Sequence, residues 1–329
     1  MNLSRITVDA AQVLMIAGLL AIGMSARPAS ALTTESFSVD PASPVIDGNI
    51  TPDDVLSPGP AVSQQGRDFG LQDDFFGGSF DNLNALSGGA DPITRNLKFS
   101  VNRVAVGLPG SDVNAQAAPG VEEAQGDVYR NLPSAGSNQL AIDEQLLGLT
   151  PGFFGDDLDA LELDDLRGSL TYFSTDFFSF AIDPGTILVS DGTGTGTFDV
   201  FANPQTMGLD PFDDLDALAL SDVFEPGVLN PGIDLALFSL DTFSPSTFTG
   251  SGNTYMPGVT GSLSPADILV TDFTGSFSLW EPAANLGLRS DDELNALDTV
   301  AEAVPEPLTP VLAGIALLSL LGYQGRRRP

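Results

Sequence analysis

The acidic side chains of this chain recur in register. Asp81-Asn82-Leu83-Asn84-Ala85-Leu86 returns as Asp156-Asp157-Leu158-Asp159-Ala160-Leu161, then as Asp213-Asp214-Leu215-Asp216-Ala217-Leu218, and last as Asp292-Glu293-Leu294-Asn295-Ala296-Leu297. Superposed, they form three oxygen-bearing columns. The first is Asp81, Asp156, Asp213 and Asp292. The second is Asn82, Asp157, Asp214 and Glu293, and the third is Asn84, Asp159, Asp216 and Asn295. A closed fourfold arrangement would bring each column round one axis, where carboxylates repel unless neutralised. Calcium, a hard cation that prefers oxygen ligands, would neutralise them. The candidate ligands are therefore Asp81, Asp156, Asp213, Asp292, Asp157, Asp214, Asp159 and Asp216. The same residue types also form turns and caps, because their side chains bond nearby backbone N–H groups. The D-x-[DN]-x-[DN]-G spacing of an EF-hand is absent.

Other chemistry has little to work with. The chain has no histidine and no cysteine, which removes imidazole bases, thiolate nucleophiles, disulfides and Cys/His zinc sites. There is no G-x-S-x-G and no Walker motif. A pair of carboxylates could hydrolyse a glycoside, but spacing along a sequence does not give their separation in space. Thr193-Gly194-Thr195-Gly196-Thr197 resembles a Gly-rich loop but sits between strand patterns and reads as a flexible hairpin. A net charge of -32 repels phosphate backbones, so no nucleic-acid partner is expected. Phe75-Phe76, Phe153-Phe154 and Phe177-Phe178 are aromatic pairs suited to core packing or to a carbohydrate or partner surface.

A second element positions the acidic one. It reads Ser36-Phe37-Ser38-Val39-Asp40, Lys98-Phe99-Ser100-Val101-Asn102, Tyr172-Phe173-Ser174-Thr175-Asp176 and Leu237-Phe238-Ser239-Leu240-Asp241. The two elements divide the chain into four units of roughly 65 residues. Residues 186–190, 197–201, 267–271 and 276–280 add strand-like runs between turn residues. Each acidic run leads into the next Phe-Ser run as a hairpin partner. The first Phe-Ser run, at 36–40, and the last acidic run, at 294–300, are left without partners, and pairing them closes a ring. The expected fold is all-β: a small propeller of four four-stranded blades closed by its N- and C-terminal strands. The alternatives are another β-rich repeat or sandwich with short helices, or a stacked array with one helix per repeat. The helical alternative rests on Leu294 and Leu297, three apart, behind the capping-box spacing Ser290-Asp291-Asp292-Glu293.

The two ends are organised differently. Arg5, the apolar run at 13–24 and the small-x-small site Ala29-Ser30-Ala31 make residues 1–31 a secretory signal peptide, with Ala29 and Ala31 at the cleavage site. Residues 32–303 are the repeat domain. Residues 304–329 hold Pro305-Glu306-Pro307, an apolar run at 308–323 and Arg326-Arg327-Arg328. A basic cluster behind an apolar run stays on the cytoplasmic side, and the run is shorter than the ~20 residues of a stable span. This end resembles the PEP-CTERM sorting signal of exported bacterial proteins. The resemblance covers only the last 26 or so residues. It implies recognition by an exosortase-type membrane peptidase, transient inner-membrane insertion, delivery to the cell surface or extracellular matrix, and exopolysaccharide as a candidate partner. The expected role is non-catalytic, structural or binding. The alternatives are a polysaccharide-acting hydrolase or a calcium-stabilised binding module. Replacing Pro305 and Pro307 by alanine should change the size and location of the exported product on a blot of cell fractions; an unaltered product would leave the segment a plain anchor.

Overall fold

Among the described residues of the computed structural model, sixteen strands form four antiparallel sheets. The structure describes residues 35–46, 49–72, 81–88, 97–132, 136–164, 170–179, 182–193, 196–247 and 263–299. The first blade contains β1 (Glu35–Val39), β2 (Val55–Ser57) and β3 (Ala61–Gln64). The second contains β4 (Leu83–Ser87), β5 (Lys98–Val101), β6 (Val128–Leu132) and β7 (Ser137–Ile142). The third contains β8 (Leu158–Asp164), β9 (Leu170–Thr175), β10 (Ile187–Ser190) and β11 (Asp199–Ala202). The fourth contains β12 (Leu215–Ser221), β13 (Leu235–Leu240), β14 (Ile268–Thr271) and β15 (Phe277–Glu281). The last strand, β16 (Leu294–Thr299), joins the first blade, whose order is β16-β1-β2-β3. Glu35 pairs with Thr299, Phe37 with Leu297 and Val39 with Leu294, so the ring closes as expected. The fold is a four-bladed β-propeller, with β4, β8, β12 and β16 innermost. The signal-peptide residues Ala29 and Ala31, the apolar run 308–323, and Pro305, Glu306, Pro307, Arg326, Arg327 and Arg328 lie outside the described residues. No helix of the described residues is long and apolar enough to cross a membrane.

The acidic runs form strands, not helices, and the spacing that looks helical has a local cause. In every inner strand the register slips by one residue at the third-column position. Leu83 pairs with Val101 and Ala85 with Ser100, so Asn84 is extra. Asp159, Asp216 and Asn295 are the extra residues of the other three strands. Such a β-bulge re-aims side chains. It puts the two leucines, three apart, on one face, where they pack with the phenylalanine of the next strand. Leu83, Leu86 and Phe99 share one cluster. Leu158, Leu161 and Phe173 share another, as do Leu215, Leu218 and Phe238 and Leu294, Leu297 and Phe37. The alanine of each run faces the neighbouring cluster, where its small side chain allows close approach.

Adjacent blades are latched by the serine of the Phe-Ser element. Ser38 Oγ donates to the Leu83 carbonyl at 2.9 Å, Ser100 to Leu158 at 2.9 Å, Ser174 to Leu215 at 3.0 Å and Ser239 to Leu294 at 2.8 Å. All four serines are fully buried. One-turn helices then carry the chain from outer strand to next inner strand. Each ends at a glycine with φ of 78–86°, namely Gly70, Gly148, Gly208 and Gly287. The leucine after each glycine donates back to the first residue of its helix, as in a Schellman cap. Ser174→Ala and Ser239→Ala should each lower unfolding free energy by about 1–2 kcal/mol in urea titration, since each leaves a buried carbonyl without its donor. A change below a few tenths of a kcal/mol would show that the latch contributes nothing.

Candidate functional site

One end of the axis opens into a cavity of about 750 Å³, whose polar lining comes from the repeats. The third column supplies Asn84, Asp159, Asp216 and Asn295, all buried, and the second supplies Asn82, Asp157 and Asp214. A further column, the residue that ends each Phe-Ser element, supplies Asp40, Asn102, Asp176 and Asp241. These residues are pinned to the second column through the backbone. Asp40 N–H donates to the Glu293 carbonyl, Asn102 to Asn82, Asp176 to Asp157 and Asp241 to Asp214, at 3.0–3.1 Å. Among the described residues Arg103 is the one cationic residue of the lining. Its Nε lies 3.7 Å from Asp157 Oδ2 and its Nη2 lies 3.8 Å from Asp176 Oδ2. The mouth is apolar: Val104, Phe177, Phe178, Phe212 and Phe243 all line it and are all exposed.

The three columns read from the sequence have different fates. The first does not reach the cavity. Its carboxylates hold loops: Asp81 accepts from Gln72, Val106 and Gly107, Asp156 from Thr150, Asp213 from Asp210 and Ser246, and Asp292 from Arg289 and Val45. The second stitches blades together as well as lining the site. The backbone N–H of Arg103 donates to Asp157. Phe177 N–H donates to Asp214 at 3.2 Å and Thr242 N–H to Glu293 at 2.5 Å. At the fourth junction the equivalent residue is Pro41, which has no N–H, and its acceptor is Asn82, not an acid. The third column alone faces the axis. Asn84 Nδ2 donates to Asp159 Oδ1 at 2.8 Å, and Asn295 Nδ2 to the Leu83 carbonyl at 2.8 Å. Asp216 Oδ2 and Asp214 Oδ1 are buried without a partner.

Burial, and then neighbouring carboxylates, push Asp157, Asp159, Asp214, Asp216 and Glu293 upward in pKa. Asp159 is raised well above the usual carboxyl range by desolvation, with Asp214 and Asp216 adding to it. Asp216 is raised by burial, with Glu293 and Asp241 next. Asp157 is raised by burial and by Asp176, against the opposing pull of Arg103. Glu293 reaches about 8. At the other end of the inner strands Glu162 and Asp298 form a second pair. Ser87 and two backbone N–H groups donate to Glu162. Burial lifts Asp298 to about 6 and lifts Glu162 well above its ordinary value. Such crowding suits a site that neutralises itself with protons or with a bound cation.

No three of the axial carboxylates described here bring their oxygens within 4.8 Å of one another; among the described residues only Asp127, Asp143 and Glu144 do so. The axial arrangement is thus wider than the closed single-ion cage expected from the superposed columns. It suits a ligand that spans several acids, or a cation that shares asparagine oxygens. The fourth column and Arg103 do not stand out in the sequence as site residues, although the four Asx residues end the quoted repeat; their place in the repeat is the available signal. Phe177-Phe178 does lie at the mouth, Phe153-Phe154 lies elsewhere on the surface and Phe75-Phe76 lies outside the described residues. Comparison with protein-family models and with curated proteins returns no match.

The raised carboxyls carry a pH dependence of known sign. Glu293 binds a proton up to about 8 in the folded protein but only to 4.5 at its ordinary value, and Asp298 up to about 6 against 3.8. Their stabilising contribution is complete below pH ~4 and is lost as pH rises through ~6 and ~8. The metal-free protein should therefore melt at a higher temperature at pH 5 than at pH 8.5 in calorimetry, and Glu293→Gln should flatten the upper part of that curve. A melting point that rises with pH would refute this assignment.

Proposed function

We propose that this is an exported surface or matrix protein with a non-catalytic binding role, whose axial cavity captures a ligand carrying protonated amines. One observation supports the reading above others: seven carboxylates, from Asp40, Asp157, Asp159, Asp176, Asp214, Asp216 and Asp241, line one cavity against a single arginine. A cavity of about 750 Å³ falls in the size range of organic-ligand sites. Exposed phenyl rings at its mouth add a face for apolar or sugar surfaces and for cations. The signal-peptide pattern ending at Ala29-Ser30-Ala31, and the resemblance of Pro305-Glu306-Pro307 and its arginine tail to an exosortase signal, support export to a compartment where exopolysaccharide is abundant. An amine-bearing exopolysaccharide meets both requirements.

Calcium at the axis is a second reading, favoured by the buried, unpartnered oxygens of Asp214 and Asp216. Glycoside hydrolysis is a third. It needs one carboxyl protonated and another ionised, and the raised Asp157 and Asp159 supply the first condition.

Calorimetric titration with glucosamine oligomers and with their N-acetylated counterparts separates the readings. The free amines should bind and the acetylated oligomers should not. Asp216→Asn and Phe243→Ala should each weaken binding about tenfold, or ~1.4 kcal/mol. Equal binding of both oligomers would remove the amine reading. Calcium binding at the axis that Asp216→Asn abolishes would favour the second, and new reducing ends would favour the third.

A further inference from the structure

Fourfold repetition makes a deviating residue visible. The residue that opens the one-turn helix after each outer strand is Gly66, Pro204 or Ala283 in three blades, and Glu144 in the second. Its backbone has a shared task. Glu144 N–H donates to Asp127 Oδ1 at 2.9 Å, as Gly66 does to Asp54 and Ala283 to Asp267. In the third blade, where Pro204 has no N–H, Thr186 stands in place of the aspartate. The side chain of Glu144 has no counterpart in the other blades.

That side chain is 1% exposed, and no backbone N–H, hydroxyl or cationic donor reaches either of its carboxyl oxygens, which meet the Asp127 and Glu123 carboxyls instead. It points into a group of acids. One oxygen from each of Asp127, Asp143 and Glu144 lies within 4.8 Å of the others. The Glu123 carboxyl lies against Glu144 and near Asp143. The groups acting most strongly on Asp127 and Glu123 are Glu144, Asp143 and Tyr129, none of them cationic. Asp127 is held in place by the Glu144 N–H and by the Tyr129 hydroxyl at 3.1 Å, and Asp143 by the Gln145 N–H at 3.0 Å. Two buried carboxylates face each other with a third at the rim, and Glu144 offers both oxygens to whatever lies between them. Ion–oxygen distances of about 2.3–2.6 Å allow ligand oxygens up to roughly 5 Å apart across calcium. Magnesium keeps several waters, for which the burial of Asp127 and Glu144 leaves little room.

We propose that Asp127, Asp143 and Glu144, with Glu123 at the edge, form a calcium site in the second blade, separate from the axial cavity. The ion ties the loop before β6 to the helix after β7. It thereby fastens the outer edge of this blade.

Terbium binding to the purified full chain tests the site, because the Tyr129 ring lies close enough to sensitise a lanthanide bound beside Asp127. Wild type should show tyrosine-excited terbium emission that calcium displaces, and calcium should raise its melting temperature. Glu144→Ala, which installs the residue of the fourth blade, should fold and should weaken both cations about 100-fold. Tyr129→Phe should lose the emission but keep the calcium-dependent melting shift. The double variant Asp159→Asn/Asp216→Asn should keep both, so failure of the axial reading leaves this test intact. Calcium shifts that survive Glu144→Ala, emission that survives Tyr129→Phe, or a wild type indifferent to both cations would overturn the proposal.

Discussion

One extra residue in each innermost strand sets the geometry of the whole disc. A regular strand offers two faces. An inner strand in a four-bladed ring has three tasks: leucines toward one neighbour, an alanine toward the other and a polar side chain toward the axis. The bulge at Asn84, Asp159, Asp216 and Asn295 supplies the third direction. It leaves Leu83, Leu158, Leu215 and Leu294 just ahead of the break, where their carbonyls accept the latch serines. Packing, blade-to-blade bonding and the axial site therefore share one local irregularity.

The cost of this design is electrostatic. Carboxylates are brought together in a poorly hydrated place, and burial outweighs every other influence on them. The fold limits the cost with backbone donors. Where a donor exists, at Arg103, Phe177 and Thr242, the second column carries an acid; where proline removes it, at Pro41, the column carries Asn82. The asymmetry of the cavity follows, with Arg103, Asn82, Asn84 and Asn102 contributed by the second blade and the lining acids by the other three. Lacking cysteine, the closed ring relies on the β1–β16 pairing and on four buried aromatic-leucine wedges.

Much of the architecture is legible because repetition amplifies weak signals. A single Phe-Ser run says little, but four such runs, each paired with an Asp-x-Leu-x-Ala-Leu run or its acidic or amide variant, define the hairpins and the closing pair. The spacing of Leu294 and Leu297 points toward a helix because a bulge and a helical turn both place residues three apart on one face. The division of labour among the acids is not legible: Asp156 and Asp159 stand three positions apart in one run, yet the first holds a loop and the second faces the axis, and only the surrounding backbone groups separate them. The hydrophobic-Gly-Leu sequence at Phe69-Gly70-Leu71, Leu147-Gly148-Leu149, Met207-Gly208-Leu209 and Leu286-Gly287-Leu288 is a further repeat, and it marks the helix ends. The Asp127–Glu144 cluster lies outside the Phe-Ser and acidic runs, so none of the three acidic columns points to it.

The order of residues alone establishes the repeat number, the strand character of each unit, the closing pair and the surplus of acid, since these depend on periodicity and composition. Folding in three dimensions settles which acids hold loops, which join blades and which face the axis. It also places a buried glutamate beside an aspartate seventeen positions away. Those outcomes depend on where the backbone of other blades puts its N–H groups and how much water it excludes, and neither quantity is local to the chain.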